Sequence, residues 1–351
     1  MGSERVTKVL IVGCGSIGER HLRLFREIED VEVVPCEPRV ERLRTILSRY
    51  SCREYYERLE DVNVQAFDGM VIGTPPHTHV PIALMGARAG VHLFIEKPLS
   101  HSLDGVDELI ALVREKNLVA TVGYCLRFHP GIERVREWLR DGKIGQVRAA
   151  RVKAGQHFPS ARPDYRQIYF AKRDMGGGIL LDGSHEIDLA LWFFGRPVEV
   201  AGFYDTLSEM EIETDDIAVL LMRFENRALV EVHLNAFQWD YSRNIEIIGS
   251  EGTIVWDYSG PVGFYKAGQW HWEEVIVERD DLYRKQARHF LDAICKKTTV
   301  RVSLEEARDT LLVCFAARRA ADTRSVVSIE SVIAGAENPY FGRGTSPRRW
   351  R

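Results

Sequence analysis

The segment VLIVGCGSIG, residues 9–18, decides the fold of this chain. Its apolar start predicts a buried strand, and the G-x-G-x-x-G spacing that follows is typical of a strand-to-helix turn that binds a dinucleotide. Gly13 permits the tight turn, Gly15 lets the backbone approach a pyrophosphate, and Gly18 allows close packing of the helix on the strand. The pyrophosphate would lie at the positive N-terminus of that helix. A strand, turn and helix without a ligand is the alternative.

An acidic residue stands where such a site contacts the ribose. Glu37 lies nineteen positions past Gly18, at the end of a second predicted strand, residues 31–36. A carboxylate there accepts hydrogen bonds from the ribose hydroxyls and repels a 2′-phosphate, which favours NAD. Arg39 and Arg42 follow closely, and either could contact such a phosphate. NAD is therefore the expected cofactor, with NADP left open as the alternative.

Strands and helices alternate through the first third of the chain, which is the order found in βαβ units and a parallel sheet. The predicted strands are residues 9–12, 31–36, 67–72, 91–95 and 118–122, and the later predicted helices are residues 40–50, 80–89 and 103–116. The sequence thus predicts an α/β Rossmann domain, a doubly wound parallel sheet, over residues 1–123.

The pattern changes after this point, because several predicted strands follow one another without helices between them. They follow a predicted extended segment, residues 146–157, and an apolar helix, residues 178–194; the strands are residues 198–204, 217–224, 228–237, 244–248 and 253–256. Strands in series favour antiparallel pairing. We expect an α+β domain with a large open, mainly antiparallel sheet over residues 124–336, closed by helices at 282–295 and 304–321. The tail, residues 337–351, is predicted to be partly disordered.

Composition excludes several classes of protein. The net charge of −4 over 351 residues provides no basic surface for nucleic acid or an anionic membrane. No stretch approaches the roughly 18 apolar residues of a membrane span, and the N-terminus does not resemble a signal peptide. The six cysteines include no C-x-x-C pair, so neither a disulfide framework nor a metal site is expected. A cytoplasmic protein with a small-molecule substrate fits this composition.

Motifs beyond the glycine turn resemble one known family. They are GTPPHTH at residues 73–79, EKP at 96–98, GYCLRF at 123–128, GGG with a following D and HEID within 176–188, and IGSEGT at 248–253. Together they resemble the glucose–fructose oxidoreductase and inositol dehydrogenase family, Gfo/Idh/MocA, over nearly the whole chain. The resemblance implies an NAD(P)-dependent oxidoreductase that moves hydride between nicotinamide and a hydroxyl or carbonyl of a sugar, a sugar derivative or a cyclitol.

The resemblance also implies that Lys97 and His185 flank the reacting carbon. A lysine at the carboxyl end of a Rossmann strand can stabilise alkoxide character on the substrate oxygen, although a surface lysine is the alternative. Histidine suits acid/base chemistry, although a core histidine is the alternative. The family places an aspartate four residues before the histidine, where this chain has Leu181. Asp182 is the candidate third catalytic residue, and Asp188 could orient the imidazole instead.

Further residues carry over from the family motifs with less weight. Those assigned to the cofactor are Gly13, Gly15, Ser16, Ile17, Gly18, Glu37, Arg39, Thr74, Pro75, His79, Glu96, Lys97 and Arg166. Those assigned to the substrate are Tyr124, Arg127, Tyr169 and Asp188. His21 is as consistent with helix packing as with function.

Two other functions are compatible with the same scaffold. One is a redox-neutral enzyme that uses a nicotinamide transiently, for glycoside cleavage or isomerisation. The other is a non-catalytic regulator that senses dinucleotide, which would have little reason to keep Lys97 and His185. Relatives commonly associate through the open sheet, so the resemblance also implies a homo-oligomer, a dimer or a tetramer.

Overall fold

The structure is a computed structural model that describes residues 6–334. The predicted tail, residues 337–351, lies outside these residues. Within the described range, no helix is both long and apolar enough to cross a membrane. The chain divides into two compact units. The first comprises residues 6–100, Asp104–Cys125 and Glu278–Ala307, and the second comprises His101–Leu103, Leu126–Val277 and residues 308–334.

The first unit is built on five short, buried strands. They are β1 (Thr7–Val12), β2 (Val31–Cys36), β3 (Gly69–Ile72), β4 (His92–Ile95) and β5 (Ala120–Val122). The helices of this unit that alternate with the strands are α1 (Ser16–Arg26), α2 (Val40–Arg49), α3 (His79–Arg88) and α4 (Val106–Glu115). Continuous apolar runs such as β1 are typical of parallel strands covered on both faces.

All pairings in this sheet are parallel, in the order β2-β1-β3-β4-β5. The strand order reverses beside β1, and ligands of such sheets bind outside the carboxyl ends of the strands at that point. A helix from late in the chain, α9 (Arg279–Ile294), belongs to this unit and contributes Phe290 to the core beside Phe25 and Phe94. The predicted doubly wound Rossmann fold is confirmed.

The second unit has a nine-stranded sheet within the described residues. Its strands are β6 (Val147–His157), β7 (Glu199–Asp205), β8 (Ile217–Arg223), β9 (Leu229–Asn235), β10 (Phe237–Gly249), β11 (Gly252–Asp257), β12 (Val262–Lys266), β13 (Gln269–Glu273) and β14 (Val327–Ser328). The order is β13-β12-β11-β10-β6-β9-β8-β7-β14, and only β6 and β9 pair in parallel among these described strands. The predicted large, mainly antiparallel sheet is confirmed.

The helices of the second unit cover one face of this sheet with apolar side chains. They are α5 (Pro130–Arg140), α6 (Phe158–Ala161), α7 (Ile179–Asp182), α8 (Ser184–Phe194), α10 (Leu304–Thr323, whose first residues fall in the first unit) and α11 (Ile329–Ala334). Alternate residues are buried along the central strands β8 and β9; on β8 these are Ala218, Leu220 and Met222. This alternation is what a sheet with one covered face requires.

Some elements differ from the sequence-based expectations. The prediction of a single helix over residues 178–194 is wrong, because the helix is interrupted at Gly183 and the segment forms two helices, α7 and α8. A Cβ at Gly183 would lie 2.8 Å from the carbonyl oxygen of Ile179 and 2.9 Å from Leu234, so close packing occurs at this break. In the division into units, α9 belongs to the first unit; the domain bounds expected from the sequence, 1–123 and 124–336, stay a prediction. Strands β12 and β13 were not predicted.

Candidate active site

The glycine turn after β1 has the close contacts that its sequence predicts. Gly13 has a φ of +82°, a conformation that side chains other than glycine rarely adopt. A Cβ at Gly18 would lie 1.8 Å from the carbonyl oxygen of Gly13, so α1 packs directly against the turn. At Gly15 the nearest atom to such a Cβ is Arg39 Nη2, at 3.8 Å. The first and third glycines are thus required by the protein itself, while the second faces open space.

The open space at Gly15 fits a bound dinucleotide. Gly15 is the N-cap of α1 and has no side chain that could accept a hydrogen bond from the first turn. Ser16 is exposed and Ile17 is half-buried at the start of the same helix. Backbone N–H groups at a helix N-terminus bind phosphate oxygens, and the helix dipole favours their charge. The residues present therefore fit the pyrophosphate of NAD.

Glu37, at the end of β2, is almost fully buried and already engaged with the turn. Its Oε2 accepts a hydrogen bond from the backbone N–H of Cys14 at 2.8 Å, and its Oε1 accepts one from Arg39 Nε at 2.7 Å. Burial tends to raise the pKa of Glu37, but the hydrogen bonds from Arg39 and Cys14 outweigh burial and hold the pKa below its usual value. The carboxylate is thus ionised and adjacent to the phosphate-binding turn.

Arg42 has a structural role that sequence reasoning missed. Its Nε donates to the carbonyl oxygen of Cys14 at 2.6 Å, and its Nη2 donates to that of Gly15 at 3.3 Å and also contacts Glu19. These bonds hold the turn from the carbonyl side. Arg42 is therefore already committed to the turn, whereas the guanidinium of Arg39 is two-thirds exposed against Glu37. The helical position of Arg42 on α2, facing the turn, was the available signal.

The segment after β3 contributes a buried histidine that links two loops. His79 Nε2 lies 2.8 Å from the carbonyl oxygen of Thr74, and its Nδ1 lies 2.8 Å from that of Pro98. A neutral imidazole has one N–H and donates to one of these carbonyls at a time. Burial lowers the pKa of His79, and the two carbonyls and the Glu96 carboxylate oppose this shift without cancelling it. Thr74 and Pro75 lie at the same end of the sheet, where Thr78 Oγ1 donates to Thr74 Oγ1 at 2.7 Å.

Lys97 lies directly after β4, on the same sheet edge as the glycine turn. The peptide bond between Lys97 and Pro98 is cis. Glu96 is buried, and its Oε2 accepts a hydrogen bond from the backbone N–H of Lys97 at 3.1 Å. Tyr124 follows β5 at this edge and is fully buried. The structure thus brings the predicted cofactor residues of the first unit to the carboxyl ends of its strands.

In the second unit, Asp182 and Tyr169 lie together. Asp182 is the last residue of α7, and its Oδ1 accepts a hydrogen bond from the hydroxyl of Tyr169. Both side chains are partly buried. His185 follows in the first turn of α8 and is buried. One residue predicted to be catalytic is therefore paired with one assigned to the substrate.

A buried aspartate that sequence reasoning missed fixes the start of α7. Asp215 Oδ2 accepts the backbone N–H of Leu180 at 2.8 Å, and Arg318 lies 3.5 Å from its Oδ1. Burial raises the pKa of Asp215, opposed by Arg318 and by the Leu180 N–H. Gly178 has a φ of +100°, and a Cβ there would lie 2.3 Å from Asp215 Oδ1. The third glycine of the GGG motif therefore makes room for this carboxylate. The two consecutive aspartates at 215–216 are the sequence signal that could have indicated a buried acidic residue here.

Arg127 and Asp188 form a fully buried pair. Arg127 Nε donates to Asp188 Oδ2 at 2.9 Å, and its Nη2 donates to Oδ1 at 2.7 Å. The guanidinium also lies over the ring of Trp192, 5.3 Å from its centre. A buried carboxylate that accepts two bonds from one guanidinium is held in a single orientation. Both residues thus position α8, whose first turn carries His185.

Arg166, assigned to the cofactor by the resemblance, lies at the surface of the second unit. Its Nη2 donates to Glu211 Oε1 at 2.8 Å, and half of its side chain is exposed. The Arg166 guanidinium also lies over the ring of Tyr165, 4.6 Å from the ring centre. These contacts do not place Arg166 against any other predicted site residue, and its assignment stays a prediction.

Two family models match the chain. An oxidoreductase-family model described as an NAD-binding Rossmann fold matches residues 7–124, and the Gfo/Idh/MocA C-terminal domain model matches residues 132–255. The first match contains all five strands of the parallel sheet, and the second contains β6 to β10 and the start of β11. The chain belongs to the Gfo/Idh/MocA family of NAD-binding oxidoreductases.

Named relatives resemble the chain over nearly their whole length. Myo-inositol 2-dehydrogenase of Thermotoga maritima is 26% identical, covering 93% of this chain and 99% of the relative. Levoglucosan dehydrogenase of Pseudarthrobacter phenanthrenivorans is 25% identical over 81% of this chain and 85% of the relative. A solved structure of levoglucosan dehydrogenase with NADH superposes with a TM-score of 0.84 at 21% identity, covering 92% and 99% of the two chains. The relatives are dehydrogenases, and this structural likeness shows a shared fold.

Proposed function

We propose that this family member is an NAD-dependent dehydrogenase that oxidises a secondary hydroxyl of a sugar, a sugar derivative or a cyclitol. The observation that carries the proposal is that Lys97 follows β4 at the sheet edge that also carries the glycine turn and Glu37. The names of the relatives, inositol and levoglucosan dehydrogenases, support the substrate class. When bound, the nicotinamide accepts the hydride.

Lys97 has the chemistry to act on the substrate oxygen. Its ammonium can donate a hydrogen bond to the hydroxyl and stabilise the negative charge that develops as hydride leaves the carbon. Such a charge-assisted contact is typically worth about 3 kcal/mol, or roughly a hundredfold in rate. We assign this role to Lys97, and the backbone on both sides of it is held by Glu96 and His79.

His185 is the proposed base that takes the hydroxyl proton. It is buried in the first turn of α8, and the Arg127–Asp188 pair fixes that helix three residues later. Asp182 is the proposed third member, because its carboxylate accepts a bond from Tyr169, and a hydroxyl can both accept and donate a proton. Substitution of Asp182 by Asn is expected to lower kcat with little change in the NAD dissociation constant.

The test is a substrate panel followed by NADH absorbance. Inositols, levoglucosan, aldoses, aminosugars and nucleotide sugars are each supplied with NAD to the purified protein. For the best substrate, Lys97→Met and His185→Asn should each lower the single-turnover rate at least a hundredfold, while NAD binding measured by calorimetry stays within a few-fold of wild type. Lys116→Met, which removes an exposed lysine of the first unit, is the matched control. Near-wild-type hydride transfer in either site variant would refute these roles.

We also propose that the chain forms a homo-oligomer through the open face of the nine-stranded sheet. On this face, Arg151 of β6 lies beside Glu246 of β10 and Glu231 of β9, which are its register partners on the two neighbouring strands. These three residues form a row of charges across the sheet, in which Arg151 contacts Glu246 at 3.1 Å and Glu231 at 3.9 Å. Exposed apolar side chains lie at both ends of this row of charges, Leu221 of β8 on one side and Trp272 of β13 on the other. An exposed apolar surface beside satisfied charges is typical of subunit interfaces.

Light scattering tests this proposal without a substrate. A dimer or tetramer is expected at micromolar concentration. Phe203 is 78% exposed on the same face as Leu221, so Phe203→Glu should shift the mass towards that of a single chain, about 40 kDa. Ile276→Glu, at an exposed residue between β13 and α9, is the control. A wild-type protein that is monomeric at this concentration would refute the interface.

A further inference from the structure

His21 belongs to α1 and is fully buried beside the segment that carries Lys97. It lies three residues past Gly18, and its Nε2 is 2.6 Å from Glu96 Oε1. Three aromatic rings surround the imidazole. The ring centres of Phe94, Tyr283 and Phe25 lie 4.9, 5.9 and 6.3 Å away, the first two edge-on. The imidazole therefore has little freedom to turn away from the carboxylate.

Glu96 is confined on its other sides as well. Its Oε2 accepts the backbone N–H of Lys97 at 3.1 Å. A Cβ at Gly123 would lie 3.0 Å from the carboxyl carbon and from both oxygens, so Gly123 leaves space only for this carboxylate. The carboxylate thus lies between the His21 ring, the Lys97 amide and the backbone after β5.

Packing of α1 on the sheet does not by itself call for a polar pair here. Replacing both partners of a buried hydrogen bond by apolar side chains of similar shape is often neutral or stabilising, and aromatic rings surround position 21. Keeping a histidine and a glutamate here therefore calls for a role beyond packing. The contact that distinguishes the pair is the hydrogen bond from the Lys97 amide, which no apolar side chain at 96 could accept.

We propose that His21 is a positioning residue for Lys97 that acts through Glu96. His21 donates from Nε2 to Glu96 Oε1, and this bond aims Oε2 at the N–H of Lys97. On the far side, the carbonyl oxygen of Pro98 lies 2.8 Å from His79 Nδ1. Lys97 thus projects from a backbone that has a buried histidine next to it on each side. The inference rests on the proposed role of Lys97, but the contact itself can be measured without any substrate.

The first readout is amide hydrogen exchange at Lys97, resolved by overlapping peptides and mass spectrometry. His21→Leu removes the donor, and we expect exchange at Lys97 to accelerate at least tenfold. His21→Gln restores an N–H donor and should return most of the protection. Leu22→Ala truncates a buried apolar residue of the same helix and is the matched control for loss of stability. It should not accelerate Lys97 selectively.

The second readout is steady-state kinetics with the best substrate of the panel and its C-deuterated form. His21→Leu should lower kcat at least tenfold, leave the KM for NAD within threefold, and raise the deuterium isotope effect on kcat, because hydride transfer becomes more rate-limiting. His21→Gln should recover most of kcat. A loss of folded protein alone would leave the isotope effect unchanged and would accelerate exchange throughout the first unit rather than selectively at Lys97.

The outcomes separate this inference from the proposed function. Unchanged exchange at Lys97 in His21→Leu, or equal exchange in the Leu and Gln variants, would overturn it. If His21→Leu does not fold, Glu96→Gln decides. If His21 donates to its amide oxygen, as proposed, the amide nitrogen faces Lys97 and cannot accept from it, so exchange should accelerate there, and wild-type exchange would overturn the inference. If the wild-type protein oxidises nothing on the panel, the proposed function fails, while the exchange experiment still decides the role of His21.

Discussion

Two alanine substitutions in one turn should separate cofactor binding from folding. At Gly18, a Cβ would stand 1.8 Å from the carbonyl oxygen of Gly13, and that oxygen would have to move by about 1.2 Å to reach even 3.0 Å, closer than real Cβ contacts normally come. The obstacle is backbone, so no side chain can rotate away. Overpacking of this kind typically costs about 1–3 kcal/mol, which corresponds to a fall in Tm of roughly 2–12 °C for a domain of this size.

At Gly15 the same methyl group meets nothing closer than 3.8 Å within the protein. Its backbone, with φ of −61° and ψ of −166°, is accessible to alanine. Gly15→Ala should therefore leave Tm within about 2 °C, since the gain from a less flexible unfolded chain roughly offsets the weaker N-cap. The methyl group would, however, occupy the space where the pyrophosphate approaches the backbone. We expect the dissociation constant for NAD to rise at least tenfold, about 1.4 kcal/mol.

The assay pairs thermal unfolding with calorimetric titration of NAD on the same samples. We expect the two variants to differ in opposite ways: Gly18→Ala should lower Tm without any ligand present, and Gly15→Ala should weaken NAD binding at an unchanged Tm. A Gly15→Ala protein that binds NAD as tightly as wild type would refute the placement of the pyrophosphate at this turn. A Gly18→Ala protein with wild-type Tm would refute the packing argument.

Other expectations follow from the same contacts. NAD should bind at least tenfold more tightly than NADP, because Glu37 is ionised at the turn and repels a 2′-phosphate. Arg39→Ala, which removes the cation beside Glu37, should widen that preference. A tenfold preference of the wild-type protein for NADP in calorimetry would contradict both expectations. Burial lowers the pKa values of His79 and His92 in the folded protein. At pH values between these lowered pKa values and the usual 6.5, the unfolded chain therefore binds more protons than the folded protein. Their stabilising contribution is complete above pH 6.5 and is lost as the pH falls below it. The Tm at pH 5.5 should therefore be several degrees lower than at pH 7.5, and His92→Gln should reduce that difference. The carboxylate of Glu37 has a lowered pKa and adds a further loss only below about pH 4.5.

The sequence predicted the first unit well because its signals are local. The strand at Val31–Cys36 was predicted to the residue, since a short run of β-branched residues ends there at the acidic ribose-reading position. The glycine spacing reports a steric requirement, which the contacts at Gly13 and Gly18 now express as distances. The tightest of these contacts, between Gly18 and the carbonyl oxygen of Gly13, lies within the motif itself, so the motif is enough to find it.

Two missed elements of the second unit carry recognisable local signals. In strand β13 (Gln269–Glu273), Trp270 and Trp272 alternate with polar residues, which is the pattern of a strand, although every residue is exposed in the structure. Helix α5 is also detectable, because His129 accepts the N–H of Gly131 as an N-cap, Pro130 follows it, and Ile132 and Val135 recur at helical spacing. Neither omission therefore reflects a missing signal.

The choice between Asp182 and Asp188 could not be made from spacing. The expectation that both share one helical face with His185 assumed a continuous helix, and the break at Gly183 removes Asp182 from that helix. Asp188 does lie on α8, three residues past His185, but both of its oxygens accept from Arg127, which never gives up its proton in proteins. Asp182 instead accepts from the hydroxyl of Tyr169, a group that can relay a proton. Side chains brought from distant positions therefore support our proposal of Asp182 for acid/base chemistry and of Asp188 for holding α8 in place.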